Sequence, residues 1–173
     1  MAKFDDSLVA VTSRSFSTNQ FLVKKLKESY PNVSLNLTGK TLKENELVKF
    51  LANADKAIVG IEIIDKDILD QLPKLKLISK YGVGLNNLDL GECKKRNIQI
   101  KFQPGSNKQS VAEFTLLLML NSLRQVHNNK TEIIEGNWTQ ATGQELKGKK
   151  IGIIGFGNIG SCLVGLLLSL IHI

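Results

Sequence analysis

The chain has 173 residues, 42% hydrophobic and 23% charged, which is the composition of a globular protein and excludes a disordered or collagen-like one. Its longest apolar runs, at 114–120 and 163–168, are far shorter than the ~20 residues of a membrane span, so we expect no membrane partner. The formal net charge of +7 comes mainly from lysines scattered along the chain, which favours a solvated basic surface over a nucleic-acid partner.

Short apolar strands alternate with helical patterns through the first part of the chain. Two of the helices are predicted to begin at capping boxes, Ser17 with Gln20 and Thr41 with Glu44. Because each strand is followed by a helix, the pattern predicts an α/β fold with a parallel sheet covered on both faces. The other predicted segments are strands at 8–11, 33–37, 57–59, 75–79 and 98–102 and helices at 65–72 and 88–96.

A loop with proline and glycine at 103–108 indicates a domain boundary near Gln103. After it, Ser110 and Glu113 form a third capping box, which predicts a helix longer than any before it. That helix is expected to run at least to Val126 and to stop at Gly136 at the latest. The predicted domains are therefore 1–103 and 104–173.

Three glycines, Gly155, Gly157 and Gly160, form a GxGxxG motif between a predicted apolar strand at 151–154 and a predicted helix at 158–168. In this context the first glycine permits a tight turn, the second lets the backbone approach a pyrophosphate, and the third lets the helix pack closely. The motif predicts dinucleotide binding. The alternative is a tight turn between strand and helix that binds no ligand.

A second glycine turn, at Gly82, Val83 and Gly84, directly follows the fourth predicted strand. Open parallel sheets bind their ligands at this edge, and the backbone N–H groups of such a turn can hold a carboxylate. A plain turn is the alternative.

Four segments in succession resemble the signatures of the D-isomer-specific 2-hydroxyacid dehydrogenase family, and within it the phosphoglycerate dehydrogenase branch. The resemblance implies a flavodoxin-like substrate domain over 1–103, followed by the incomplete start of a Rossmann NAD-binding domain over 104–173. The four segments are 75–89 (LKLISKYGVGLNNLD), 104–113 (PGSNKQSVAE), 136–138 (GNW) and 148–160 (GKKIGIIGFGNIG).

The same resemblance implies the residues of the site. The expected substrate-binding residues are Val83, Gly84 and Asn107. The family's catalytic Arg, Glu and His are expected downstream, so no catalytic residue and no metal site is predicted in this chain. The expected cofactor-binding residues are Val83, Gly155, Gly157, Asn158, Ile159 and Gly160.

Two positions depart from the family pattern. Asn86 stands where the family usually has Asp, and Asn158 stands where Arg is frequent, which removes a charge contact to phosphate. His127 and His172 match none of the family's catalytic residues. The final residues, 168–173, read like a translated sequencing adapter, and we expect them not to be native.

The function that the resemblance implies is NAD-dependent oxidation of a D-2-hydroxyacid by the intact protein, with 3-phosphoglycerate, the entry to serine biosynthesis, as the expected substrate. Reduction of glyoxylate or hydroxypyruvate is the alternative within enzymes, and a non-catalytic dinucleotide sensor is the alternative outside them. NADP stays open as the cofactor. The intact protein is expected to be a cytoplasmic homo-oligomer, a dimer or tetramer, and the chain by itself is expected to be inactive.

Overall fold

Five short strands form one parallel sheet in the computed structural model, which describes residues 5–138 and 141–170. The strands are β1 (Val9–Val11), β2 (Val33–Leu35), β3 (Lys56–Val59), β4 (Leu77–Lys80) and β5 (Gln99–Lys101). Their order in the sheet is β2-β1-β3-β4-β5, with every neighbouring pair parallel. This is the flavodoxin-like strand order. The predicted α/β fold with a parallel sheet is confirmed.

Helices connect these strands, and four of them begin at a side-chain cap. The side chains of Ser13, Asn19, Asp65 and Asp89 each accept a hydrogen bond from a backbone N–H in the first turn, at 3.4, 3.1, 3.0 and 2.9 Å respectively. Such a cap stabilises a helix by about 1 kcal/mol. The helices are α1 (Arg14–Ser17), α2 (Gln20–Ser29), α3 (Glu44–Leu51), α4 (Lys66–Asp70) and α5 (Leu90–Lys95).

The two predicted capping boxes in this region are wrong. Asn19 caps α2, because the Ser17 hydroxyl is already occupied: it donates to the Val11 carbonyl at 3.4 Å and accepts from the Asn36 N–H at 3.1 Å. At α3 the cap residue is Lys43, which makes no side-chain cap bond. At α2, the tertiary hydrogen bonds of the Ser17 hydroxyl therefore override the predicted capping box.

The main apolar core lies around this sheet. Leu47 and Leu51 of α3 are each 1% exposed, and Ile78 in β4 is fully buried. Burying one such side chain stabilises the fold by about 1.5–3 kcal/mol. Because the core holds the strands in place, it also fixes where the loops leave their carboxyl ends.

Acid is expected to destabilise this sheet region. The Lys56 ammonium donates to Asp5 and lowers the pKa of that carboxyl to about 2, and hydrogen bonds from Lys66 and Arg96 lower the pKa of Asp70. A carboxyl whose folded pKa is depressed stabilises the fold above its unfolded pKa and loses that contribution as the pH falls through the folded pKa. We expect the urea midpoint to fall between about pH 4 and pH 2.

Salt provides the control, because the five residues in these ion pairs are exposed or partly exposed and salt screens such charges. The acid-induced loss should shrink in molar salt. A urea midpoint that stays constant from about pH 4 to pH 2 would contradict the prediction.

The chain divides into two compact units, Met1–Pro104 and Gly105–Ile173, called the first and the second unit below. The second unit contains α6 (Lys108–Arg124), α7 (Val126–Ile134) and α8 (Asn158–Ser169). Helices α6 and α8 pack together, and the Cys162 thiol of α8 donates to the Gln109 side-chain oxygen of α6 at 3.0 Å. Both cysteines of the chain are free thiols.

The long helix predicted from Ser110 differs in the structure. It begins two residues earlier, at Lys108, and Glu113 accepts from the Gln109 side chain at 2.7 Å, so it forms no capping box. It also ends at Arg124, because Gln125 has a left-handed φ of 52° that separates α6 from α7. Gly136, with φ 84°, follows α7 as the predicted stop.

The strand predicted at 151–154 is wrong. Within the described residues of the second unit no strand forms, and Ile154 is fully exposed. An extended segment needs a neighbouring strand to take its backbone hydrogen bonds, and the described part of this unit offers none.

Residues 171–173 lie outside the described residues, so the expectation that 168–173 are not native stays a prediction. No described helix is both long and apolar enough to cross a membrane.

Candidate functional site

A cleft of about 420 Å³ opens in the first unit where β1, β3 and β4 end. The strand order reverses between β1 and β3, and ligands of doubly wound sheets bind outside the carboxyl ends of the strands at such a point. The position of the cleft therefore follows from the topology. Its walls are formed by Ser13, Arg14, Ser15, Thr18, Gly39, Gly60, Ile61, Glu62 and Tyr81.

A neighbouring hollow of about 330 Å³ lies over the loop that follows β4. The predicted residues Val83 and Gly84 line it, together with Asn86, one of the two residues that depart from the family pattern. Gly82 has a φ of 144°, which L-amino acids rarely adopt, so this turn requires its first glycine. The hollow and the cleft adjoin each other, since both are lined by Gly60, Ile61 and Tyr81; the last is 40% exposed.

Two polar residues tie the loop after β4 to the loop after β3. The Lys80 ammonium donates to the Gly60 carbonyl and, at 2.6 Å, to the Asn87 side-chain oxygen. The Asn87 amide in turn donates to the Glu62 carbonyl at 2.5 Å. Burial lowers the pKa of Lys80, while the charge of Glu62 opposes that shift. These bonds hold the Val83 loop in place, and sequence reasoning missed both residues.

Glu62 is a buried carboxylate in the wall of the cleft, with only 2% of its surface exposed. Its Oε2 accepts from the Thr12 hydroxyl at 2.7 Å and from the Gly60 N–H at 2.9 Å. Sequence reasoning missed it as well. The one available signal was an acidic residue within the apolar stretch 61–64.

The glycine motif in the second unit forms a sharp turn into α8. Gly155 has a φ of 93°, which favours glycine, and a Cβ on Gly160 would lie 2.3 Å from the Gly155 carbonyl oxygen. Gly157 differs from both: its φ is −87°, and a Cβ there would meet no atom within 4 Å. The conformation and packing of the protein therefore explain why Gly155 and Gly160 are glycines. At Gly157 neither requires a glycine, and the space for a Cβ is open.

Asn107 stands before α6, and its side chain makes no cap hydrogen bond. Close by, a Cβ on Gly105 would lie 3.0 Å from the Asn158 side chain, so the loop before α6 lies against the first residue of α8. The structure thus places the predicted residues in two groups. Val83 and Gly84 belong to the first unit, and the others, including the exposed Asn158 and Ile159, belong to the second.

The comparison with protein families shows the family of the chain. The model of the D-isomer specific 2-hydroxyacid dehydrogenase catalytic domain matches residues 9–160. The chain belongs to this family. The family resemblance of the sequence motifs is thereby confirmed.

The names of the relatives in this family indicate different substrates. The chain is 36% identical to hydroxypyruvate reductase of Thermotoga maritima, over 73% of this chain and 42% of the relative. It is 41% identical to glyoxylate reductase of Thermofilum pendens, over 66% and 36%. It is 33% identical to D-3-phosphoglycerate dehydrogenase of Mycobacterium tuberculosis, over 67% and 22%. The chain therefore spans less than half the length of these relatives.

Solved structures of the family share the fold. D-lactate dehydrogenase of Aquifex aeolicus, crystallised with NAD and lactic acid, superposes with a TM-score of 0.70 at 27% identity. The match covers 93% of this chain and 48% of that protein. By name the relatives are reductases and dehydrogenases, and this solved structure carries NAD, which is what the resemblance implied.

Proposed function

We propose that the full-length protein is an NAD-dependent oxidoreductase that interconverts D-2-hydroxyacids and 2-oxoacids. The observation that carries the proposal is the geometry of the glycine motif. Gly157 is a glycine at a negative φ with open space where its Cβ would be, so nothing in the described protein requires a glycine there. A ligand that approaches the backbone closely does require one.

Each predicted residue has a role in this proposal. The N–H groups at the start of α8, from Asn158 and Ile159 onward, would hold the cofactor pyrophosphate, because the amino end of a helix favours anions. The backbone of Val83 and Gly84 would hold the substrate carboxylate, Val83 would also contact the cofactor, and Asn107 would contact the substrate. NAD, when bound, supplies the hydride acceptor. The rest of the full-length protein would supply the acid/base residue and the cation on the carboxylate.

Two reactions are candidates. Oxidation of 3-phosphoglycerate in serine biosynthesis is supported by the resemblance to the phosphoglycerate dehydrogenase branch and by the similarity to the mycobacterial enzyme of that name. Reduction of hydroxypyruvate or glyoxylate is supported by the similarity to the reductases of Thermotoga maritima and Thermofilum pendens. In either case we propose a homo-oligomer that acts in the cytoplasm.

Kinetics of the full-length gene product test the proposal. NADH consumption is followed with glyoxylate, hydroxypyruvate and 3-phosphohydroxypyruvate, and each reaction is repeated with NADPH. We expect turnover of at least one of these 2-oxoacids, and faster turnover with NADH than with NADPH. NADH binding without turnover of any of these acids would indicate a non-catalytic dinucleotide sensor instead of an enzyme. A protein that binds neither dinucleotide would refute the proposal.

A further inference from the structure

The cleft in the first unit adjoins the hollow that holds the proposed carboxylate site. Because Gly60, Ile61 and Tyr81 line both spaces, a short acid bound by its carboxylate at Val83 and Gly84 can extend its other end toward the cleft. The groups that face the cleft would then decide which substituents that end can carry.

Glu62 is the buried acidic group in the cleft wall. Both hydrogen bonds that the structure gives its carboxylate fall on Oε2, from Thr12 and Gly60, so Oε1 has no partner among the described residues. A carboxylate oxygen only accepts hydrogen bonds. A ligand can therefore satisfy Oε1 only by presenting a donor such as a hydroxyl group.

The neighbouring cations have other partners. The Lys80 ammonium donates to Gly60 and Asn87, and the Arg14 guanidinium donates to the Gly39 carbonyl at 3.2 Å on the exposed rim. Among the residues that the structure describes, no cation is hydrogen-bonded to the Glu62 carboxylate. A phosphate offers two negative charges and mostly acceptor oxygens, and its charge is repelled by a buried carboxylate more strongly than by one in water.

We propose that Glu62 selects substrates whose far end carries neutral hydroxyl groups and rejects substrates whose far end is phosphorylated. The inference rests on the proposed function and favours the second of its two substrate candidates. Glu62 would then determine substrate specificity, in addition to its structural role as the hydrogen-bond acceptor of Thr12 and Gly60.

Glu62→Gln separates specificity from structure. The Gln side-chain oxygen can still accept from Thr12 and Gly60, while an NH₂ donor replaces Oε1 and the negative charge is lost. The matched control is Glu46→Gln, which removes the same charge from an exposed position on α3 that lies outside the cleft. Glyoxylate is the internal control, because it has no carbon beyond C2 and cannot reach the cleft.

The experiment measures kcat/KM of the full-length protein for glyoxylate, hydroxypyruvate and 3-phosphohydroxypyruvate. We expect the wild-type protein to prefer hydroxypyruvate to its phosphorylated analogue at least about tenfold, and Glu62→Gln to reduce that preference about tenfold while glyoxylate changes less than about twofold. Glu46→Gln should leave the preference unchanged.

Three results would overturn the inference alone. They are a wild-type preference for the phosphorylated acid, an unchanged preference in Glu62→Gln, or an equal loss for all three acids in that variant, which would mean a purely structural role. The wild-type measurement needs no variant, so it can overturn the inference even if Glu62→Gln fails to fold. Turnover of none of the three acids would instead refute the proposed function, and this inference with it.

Discussion

Amide protons of the parallel sheet are expected to exchange at least about a thousandfold more slowly than those of the second unit when the chain is placed in deuterated water. The sheet is enclosed by the buried core around Leu47, Leu51 and Ile78. In the described part of the second unit only Ala112 and Leu163 are buried apolar residues. Hydrogen exchange read by mass spectrometry, peptide by peptide, measures the difference.

The reason is the uncovered apolar surface of α6. Phe114, Leu117 and Leu118 are 58%, 56% and 49% exposed, so the hydrophobic stabilisation that would hold this helix is largely missing. Leu47→Ala serves as the control, because a cavity at this buried position costs about 2–5 kcal/mol and should speed exchange in the sheet while leaving α6 as it was. Equal protection of both units in the wild-type chain would contradict the expectation.

The sequence was sufficient to predict the fold class of the first unit, because alternating strands and helices admit few arrangements other than a covered parallel sheet. Element ends were harder to predict. Leu37 fits the alternation of the second strand but is 70% exposed, since Asn36 before it is buried and donates to the Thr12 and Lys40 carbonyls at 2.8 and 2.9 Å. These bonds end the ladder after Leu35, and no local pattern encodes them.

In the candidate site, too, the features that depend on local geometry are predictable from the sequence, and those that depend on distant contacts are not. The conformation of Gly155 and the close approach at Gly160 follow from the motif, because its steric demands are local. Sequence reasoning missed Glu62, Lys80 and Asn87. Their roles depend on hydrogen bonds between the loops after β3 and β4, and these two loops are far apart in sequence. A single sequence shows such residues only as ordinary polar side chains.

Substitution of the glycines by alanine is expected to have two different effects in the full-length protein. At Gly160 the new Cβ would lie 2.3 Å from the Gly155 carbonyl oxygen, closer than real Cβ contacts come. Alanine favours a helix over glycine by about 1 kcal/mol, but a backbone clash of this size outweighs the gain. We expect Gly160→Ala to lower the free energy of unfolding by about 1–3 kcal/mol.

At Gly157 the expected result is the reverse. Because φ is −87° and no atom lies within 4 Å of the added Cβ, Gly157→Ala should keep the melting temperature within about 2 °C of wild type. It should weaken NADH binding at least about tenfold, because the methyl group occupies the space through which the pyrophosphate reaches the backbone. Calorimetric titration with NADH and thermal unfolding of the same samples measure both effects. An unchanged NADH affinity in Gly157→Ala would remove the main support for the dinucleotide site, whatever the stability of Gly160→Ala.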